Sequence, residues 1–284
     1  MIGYDALRNR AAWIDLSARG KIKLTGEDRA RLLHAMTTNH IQQLTPGTGC
    51  YAFFLNDKGR VLADANVLCR PDYFLLDVEP EAREPLYQHV DRYIIADDVT
   101  LEDATKDLAT IAVEGPQSAE VMQRAGAPVP EADYSNVDWG DSLVSRLNST
   151  GSSGFFIFVP ASEKPALIAR LEAAGAEPAD AEAARVVRLE HGKPRYSEDI
   201  SDRFLAQEAN QPHALHFSKG CYLGQEIVER VRSRGQIHRV LKPLTLETKE
   251  PPAPGTKLEN ATEITSAEYS PALGKVVALG YIRV

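Results

Sequence analysis

The sequence predicts an α+β protein made of more than one compact unit, and three observations carry that prediction. Helical and strand-like segments interleave along the chain. The length of 284 residues exceeds what one small core needs. The last stretch, from about residue 237, reads as short strands with turn signals, a small β-barrel or sandwich.

The elements follow in order. Tyr4–Ala12 reads as a helix, and Trp13–Leu16 as a short strand. Arg19-Gly20 supplies a turn, and Lys21–Thr25 the return strand. Gly26 precedes a helix over Glu27–Met36, with Ala30, Leu33 and Met36 on one face. Cys50–Leu55, Arg60–Arg70 and Tyr73–Val78 read as strands separated by Asp57-Lys58-Gly59 and Pro71-Asp72, both turn chemistry. Pro80 opens a helix to about Ile94, although Pro85 weakens it. Val99–Ala104, Ala109–Glu114 and Phe155–Val159 are strands, and Gln117–Ala125 and Glu163–Ala174 are helices. Ala181–His191 is a helix stopped by Gly192 and Pro194. Residues 192–223 are irregular and polar, a length that usually signals function. Gln225–Arg234 is helical, and Val240–Leu246, Thr256–Leu258, Glu263–Tyr269 and Lys275–Arg283 are the closing strands.

Composition excludes several classes. Hydrophobic residues at 43% and charged residues at 25% match ordinary globular usage. A net charge of −8 gives no general pull toward nucleic acid or anionic membrane. Cys50, Cys69 and Cys221 form no CxxC pair, and the histidines show no recognisable ligand spacing, so no metal site is expected. The opening MIGYDALRNRAAW has no apolar core of signal-peptide length, and no run is long enough to span a membrane. A cytoplasmic monomer is the simplest expectation.

Two places stand out chemically. In Lys219-Gly220-Cys221-Tyr222-Leu223-Gly224-Gln225-Glu226, two glycines bracket a cysteine just before a helix. A thiol there, beside a lysine, suits nucleophilic or redox chemistry; a small buried thiol in a tight loop is the plainer alternative. The helix beyond carries Arg230, Arg232 and Arg234, whose forks suit carboxylate or phosphate groups, with Glu226 and Glu229 as local ion-pair partners. The second place is Glu190, on the same helical face as Ala183, Val186 and Val187 and so directed inward. It needs donors. The amino-pyrimidinone edge of a pterin offers two, and a salt bridge to Arg188 or Arg195 offers another solution. Thr37-Thr38-Asn39, at the end of an earlier helix, can cap that helix or line a pocket.

Taken together, LTGEDRARLLHAMTTNHI, RLEHGKPRYSEDI and the closing GTKLENATEITSAEYSPALGKVVALGYIRV resemble the folate-binding family of the glycine-cleavage T-protein. KGCYLGQE resembles the YgfZ-type branch, related to mitochondrial iron–sulfur assembly proteins. The resemblance implies a three-domain ring: a discontinuous ferredoxin-like folate-binding domain (1–46 and 105–236), an inserted α+β domain (47–104) and a C-terminal β-barrel (237–284). It implies tetrahydrofolate or a one-carbon derivative as cofactor, its pterin on Glu190, its glutamate tail toward Arg234 or Arg232, with Thr38 and Asn39 nearby. Cys221 would carry the reactive or contact role, with iron–sulfur enzymes or assembly proteins, including those that modify transfer RNA, as partners. The alternative implied activity is aminomethyl transfer or demethylation. Against it, the family's paired carboxylates are here Ala63 and Asp64, which leaves Asp64 alone as the catalytic candidate.

Overall fold

A computed structural model describes residues 1–235, 237–259 and 262–284, with the backbone alone at Arg234. Helix α1 (Tyr4–Asn9) leads into β1 (Ala12–Asp15), and the chain then crosses from one sheet to another at Arg19-Gly20. The expected hairpin is not formed. Strand β1 pairs with β7 (Leu108–Glu114) and, in parallel, with β11 (Glu177–Ala179). Strand β2 (Gly20–Thr25) pairs instead with β5 (Phe74–Val78) and β6 (Thr100–Asp103). The crossing is pinned by charge as well as by a turn at Ser17-Ala18, closed by the Arg19 amide on the Leu16 carbonyl at 2.9 Å: Arg19 donates to buried Asp77, and Lys21 Nζ reaches the Ser17 carbonyl at 2.8 Å.

The first sheet runs β11-β1-β7-β10-β9-β8, with β10 at Gly154–Pro160, β9 at Ser142–Ser145 and β8 at Asn136–Trp139. Both faces of β10 are covered, which explains its unbroken apolar run. Phe155, Ile157 and Val159 join the core that includes residues of α4 (Ser118–Arg124) and α5 (Lys164–Ala173). Phe156 and Phe158 face a second core, with residues of α1, α6 (Ala181–Glu190) and the neighbouring sheet.

That neighbouring sheet runs β3-β4-β5-β2-β6, with β3 at Gly49–Leu55 and β4 at Val61–Cys69. Helices α2 (Arg29–Met36) and α3 (Pro80–Asp91) share its apolar core. Strand β2 and α2 therefore belong with the middle segment. The sheet that holds the segment 47–104 also takes in β2 and so runs from Gly20 to Asp103, because the hydrogen-bond partners of β2 lie on β5 and β6.

The C-terminal strands β12 (Arg239–Leu246), β14 (Lys275–Arg283) and β13 (Glu263–Ser270) form an open three-stranded sheet in that order. The barrel expected for 237–284 is corrected here. Among the described residues, Thr256–Leu258 contributes only an isolated bridge, Lys257 to Glu263, and three strands are too few to close on themselves. The sheet is anchored instead by Tyr281, whose ring stacks on Phe204 at 3.7 Å. Helix α7 (Gln225–Arg234) follows the long irregular segment.

Candidate functional site

A cavity of about 790 Å³ lies between the first two sheets, the start of α6 and the irregular segment that follows it. Its size lies within the range of small-molecule sites. Strand alternation decides what faces it. On β3 and β4, Tyr51, Asp64 and Asn66 line the cavity, while Ala52, Phe54, Ala63 and Ala65 point into the apolar core beneath. Phe53 lies opposite Asp64 in the ladder, which places Tyr51 on the diagonal, and its hydroxyl donates to Asp64 Oδ2 at 2.6 Å. Position 63 is thus turned away from the cavity. A carboxylate there would be buried among Leu33, Phe54 and Val67, so alanine at this position leaves the cavity wall intact.

Asp64 is 7% exposed, and burial pushes its carboxyl up to about 6, against the Tyr51 hydrogen bond that holds it down. Its setting differs from that of its neighbours. Arg19 holds Asp77 at 2.8 Å and also bonds Glu79; Arg195 holds Glu79 at 2.9 Å and Glu81 at 2.8 Å. Arg188 pairs with Asp199 at 2.6 Å and Glu198 at 3.0 Å. Among the described residues, no cation lies within ion-pair distance of Asp64. Apolar and aromatic surface comes from Trp13, Ile14, Phe156, Tyr134 and Tyr196, with His213 stacked on Tyr51 at 5.3 Å.

The other expected site residues lie elsewhere. Glu190 is inward, its side chain 7% exposed, but it faces α1 and the C-terminal sheet rather than the cavity. It accepts from the Tyr4 hydroxyl and from Ser270 Oγ at 2.5 Å, and pairs with Arg8 Nε at 2.9 Å. The salt-bridge solution is realised, with Arg8 in place of Arg188 or Arg195, and Glu190 does not line the cavity. Thr38 is fully buried; its hydroxyl donates to the Ala214 carbonyl at 2.6 Å and accepts from the Phe53 amide at 2.9 Å. Asn39 donates to the carbonyls of Tyr51 and His213, both at 2.9 Å, and so positions two cavity residues without lining the cavity itself. Arg232 lies on the surface over the Phe217 ring at 4.6 Å, with Glu229 at 3.5 Å. The side chain of Arg234 is outside the described residues.

The KGCYLGQE segment clasps the C-terminus of α2. Lys219 Nζ donates to the carbonyls of His34 (2.5 Å) and Thr37, and the Leu223 amide donates to the Ala35 carbonyl at 3.0 Å. Burial pushes the Lys219 ammonium down to about 7. Gly224 caps the start of α7 at φ 82°, and an added Cβ would meet the Asn56 carbonyl oxygen at 2.5 Å, so a side chain there is strained. The Tyr222 amide donates to Gln225 Oε1 at 3.1 Å, Gly220 sits beside His34, and Glu226 is exposed. Cys221 is exposed and does not line the cavity, so the tight-loop reading with a buried thiol fails for it. Cavity and thiol are two separate features.

Beneath this clasp lie three imidazoles, His34, His40 and His216, with ring centroids 4.6 and 5.1 Å apart. The Nδ1 atom of each is buried without a hydrogen-bond partner among the described residues. No group of three His, Cys, Asp or Glu there is placed to hold a metal ion, and no described helix is long and apolar enough to cross a membrane.

Residues 3–219 match the family described as the GCVT N-terminal domain. The chain belongs to that family. It is 30% identical over 294 residues to an aminomethyltransferase of Rubrobacter xylanophilus, covering 98% of this chain and 78% of that protein. An aminomethyltransferase of Aquifex aeolicus is 29% identical over 283 residues, covering 98% and 77%. The glycine cleavage system aminomethyltransferase T of Bartonella henselae has the same fold, with a TM-score of 0.90 at 21% identity, covering 99% of this chain and 80% of that one. The α+β architecture with several sheets is thus that of the family, and a folate-related function accords with it.

Sequence reasoning missed Tyr51, Arg19, Glu79, Lys193 and His213. Lys193 and His213 fall within the irregular 192–223 segment, whose length was the available signal.

Proposed function

We propose that the chain binds a reduced folate in the central cavity and acts on it as a one-carbon transferase of the aminomethyltransferase type. One observation carries the reading: Asp64 is the cavity carboxylate that is buried, hydrogen-bonded by Tyr51 and without a cationic partner among the described residues. An acid whose pKa is about 6 can take and return a proton near neutrality. The cavity fits a fused heterocycle, with aromatic walls and polar groups on one side. When bound, a reduced folate supplies nitrogens that carry a one-carbon unit. The chain's own residues do the rest. Tyr51 fixes one Asp64 oxygen, Asn39 and His213 hold Tyr51, and the Arg19–Asp77–Glu79–Arg195 lattice keeps the wall rigid.

Calorimetry with tetrahydrofolate tests binding. Incubation with tetrahydrofolate and an aminomethylated lipoyl carrier protein tests transfer, read as methylene-tetrahydrofolate and ammonia. Folate binding without turnover would leave the binding part and remove the transferase part.

A second reading is supported by the exposed Cys221 on its clasped loop. In it, the chain is a YgfZ-type cytoplasmic accessory of iron–sulfur enzymes, including those that modify transfer RNA. Folate in the cavity would then act as a bound effector and Cys221 as the contact to the client. Loss of genetic rescue by Cys221→Ala, with folate affinity unchanged, is its expected signature. Full rescue by that variant would rule out a role for the thiol.

A further inference from the structure

The cavity holds a second charge without an opposite partner among the described residues, Lys193, and the backbone sets where its side chain starts. Helix α6 ends with Gly192 at φ 63°; the Gly192 amide donates to Leu189 and the Lys193 amide to Arg188, both at 3.0 Å. This double closure fixes the direction in which the Lys193 side chain leaves the backbone, and Asn148 then holds its ammonium. An added Cβ at Gly192 would meet Pro243 at 2.9 Å, which locks the stop against the C-terminal sheet.

Counting hydrogen bonds shows what is left over. The Lys193 ammonium has three protons. Two go to Asn148, one to its carbonyl and one to Oδ1 at 2.7 Å. One proton remains for the cavity. Asp64 has one oxygen engaged by Tyr51 and the other without a hydrogen-bond partner among the described residues. The other Asp, Glu and Arg side chains of the cavity wall are ion-paired at 4 Å or less, for example Arg185 with Glu268 at 2.8 Å. Among the charged side chains of the wall, Asp64 and Lys193 are thus the acceptor and the donor that no ion pair engages among the described residues. A ligand that satisfies both carries a donor and an acceptor, as the adjacent N–H and C=O of a lactam do, and a buried polar pair left unmatched is costly.

We infer that Lys193 is a specificity-determining residue that donates to the ring carbonyl oxygen of a lactam heterocycle, with Asp64 accepting from an N–H of the same ligand. The inference rests on the folate reading above, since the 4-oxo pyrimidinone ring of a pterin is such a heterocycle. It assigns ring recognition to these two residues in place of Glu190, whose carboxylate is consumed by Tyr4, Arg8 and Ser270. It also makes Lys193 a reader of 4-oxo against 4-amino rings. A 4-amino group is a donor and has no oxygen for the ammonium to reach.

The test pairs two ligands with two proteins. The ligands are 6-methyltetrahydropterin and its 4-amino counterpart, both without the benzoylglutamate tail; the proteins are the full chain and Lys193→Met. The expected result is a ratio of the two affinities that moves about tenfold or more toward the 4-amino ligand in the variant, the worth of one charge-assisted hydrogen bond. Lys193→Arg restores the wild-type ratio. A ratio that stays within about twofold in Lys193→Met overturns the inference while folate binding stands. Failure of the unaltered chain to bind either ring or tetrahydrofolate overturns the folate reading and the inference with it. If Lys193→Met does not fold, Lys193→Leu, which also lacks a donor, serves in its place, judged by the same ratio.

Discussion

Replacing Asp64 with Asn separates the stability of the cavity from its chemistry. The side chain is 7% exposed and its carboxyl stands at about 6 rather than the ordinary 3.8, chiefly because burial disfavours the charged form. A displacement of that size corresponds to up to roughly 3 kcal/mol of differential stability. The sign follows from proton counting. Below pH 3.8 the acid is protonated in both folded and unfolded chains. Between 3.8 and about 6 the unfolded chain gives up its proton while the folded chain keeps it, so wild-type stability falls as pH rises. Above about 6 the penalty is complete and constant. Asn has nothing to ionise, and its Oδ1 can still accept from Tyr51. Asp64→Asn is therefore expected to match the wild type below pH 4 and to exceed it by up to ~3 kcal/mol above pH 6. Urea unfolding of both proteins from pH 3.5 to 8 measures this, because the difference cancels every other titrating group. One-carbon transfer by the same variant is expected to fall at least a hundredfold, about the contribution of a general acid–base group. A pH-independent stability difference, or a variant less stable at pH 8, would show that Asp64 is not a strained buried acid and would remove the basis for its proton-handling role.

Four further outcomes follow from the same geometry. Glu190→Ala removes the acceptor of Tyr4 and Ser270 and leaves Arg8 without its carboxylate, so unfolding free energy should drop by about 3 kcal/mol in urea titration, with tetrahydrofolate affinity in calorimetry changed less than twofold. Gly224→Ala should cost about 1–3 kcal/mol in the same unfolding assay, since φ 82° and the Asn56 carbonyl at 2.5 Å both oppose a side chain. In a thiol titration of the native protein, Cys221 should react fast, while Cys50, whose thiol burial pushes up to about 12, and buried Cys69 should wait for denaturant. Stability should also fall as pH drops from 6.5 toward 4, because burial and the nearby Lys219, His40 and His216 hold His34 down to about 4 while the unfolded chain takes up its proton; His34→Asn should flatten that part of the unfolding profile.

What the sequence made legible, and what it did not, divides along physical lines. Local signals survived: Gly192 and Pro194 end α6, Gly224 begins α7, and the apolar run Phe155–Val159 is a buried strand. Each of these depends on the backbone freedom or burial of a few neighbouring residues. Pairing did not survive, because the partner of a strand is a non-local choice. Lys21–Thr25 looked like the return of a hairpin, yet a buried Arg19–Asp77 pair carries it into another sheet. Strand Glu177–Ala179 was missed because three residues carry too little pattern to detect.

The same division governs the site. An inward-facing Glu190 was readable from helical spacing, but spacing fixes only the face, and that face meets α1 and the C-terminal sheet, so the carboxylate serves cohesion. Ala63 and Asp64 show the converse. Adjacent residues on a strand point to opposite sides, so a motif comparison that treats two consecutive acids as a unit cannot say which one faces ligand. The structure puts Ala63 in the core and Asp64 on the cavity. The substitution that seemed to argue against chemistry is thus silent about it, and the case for transfer rests on the behaviour of Asp64 alone.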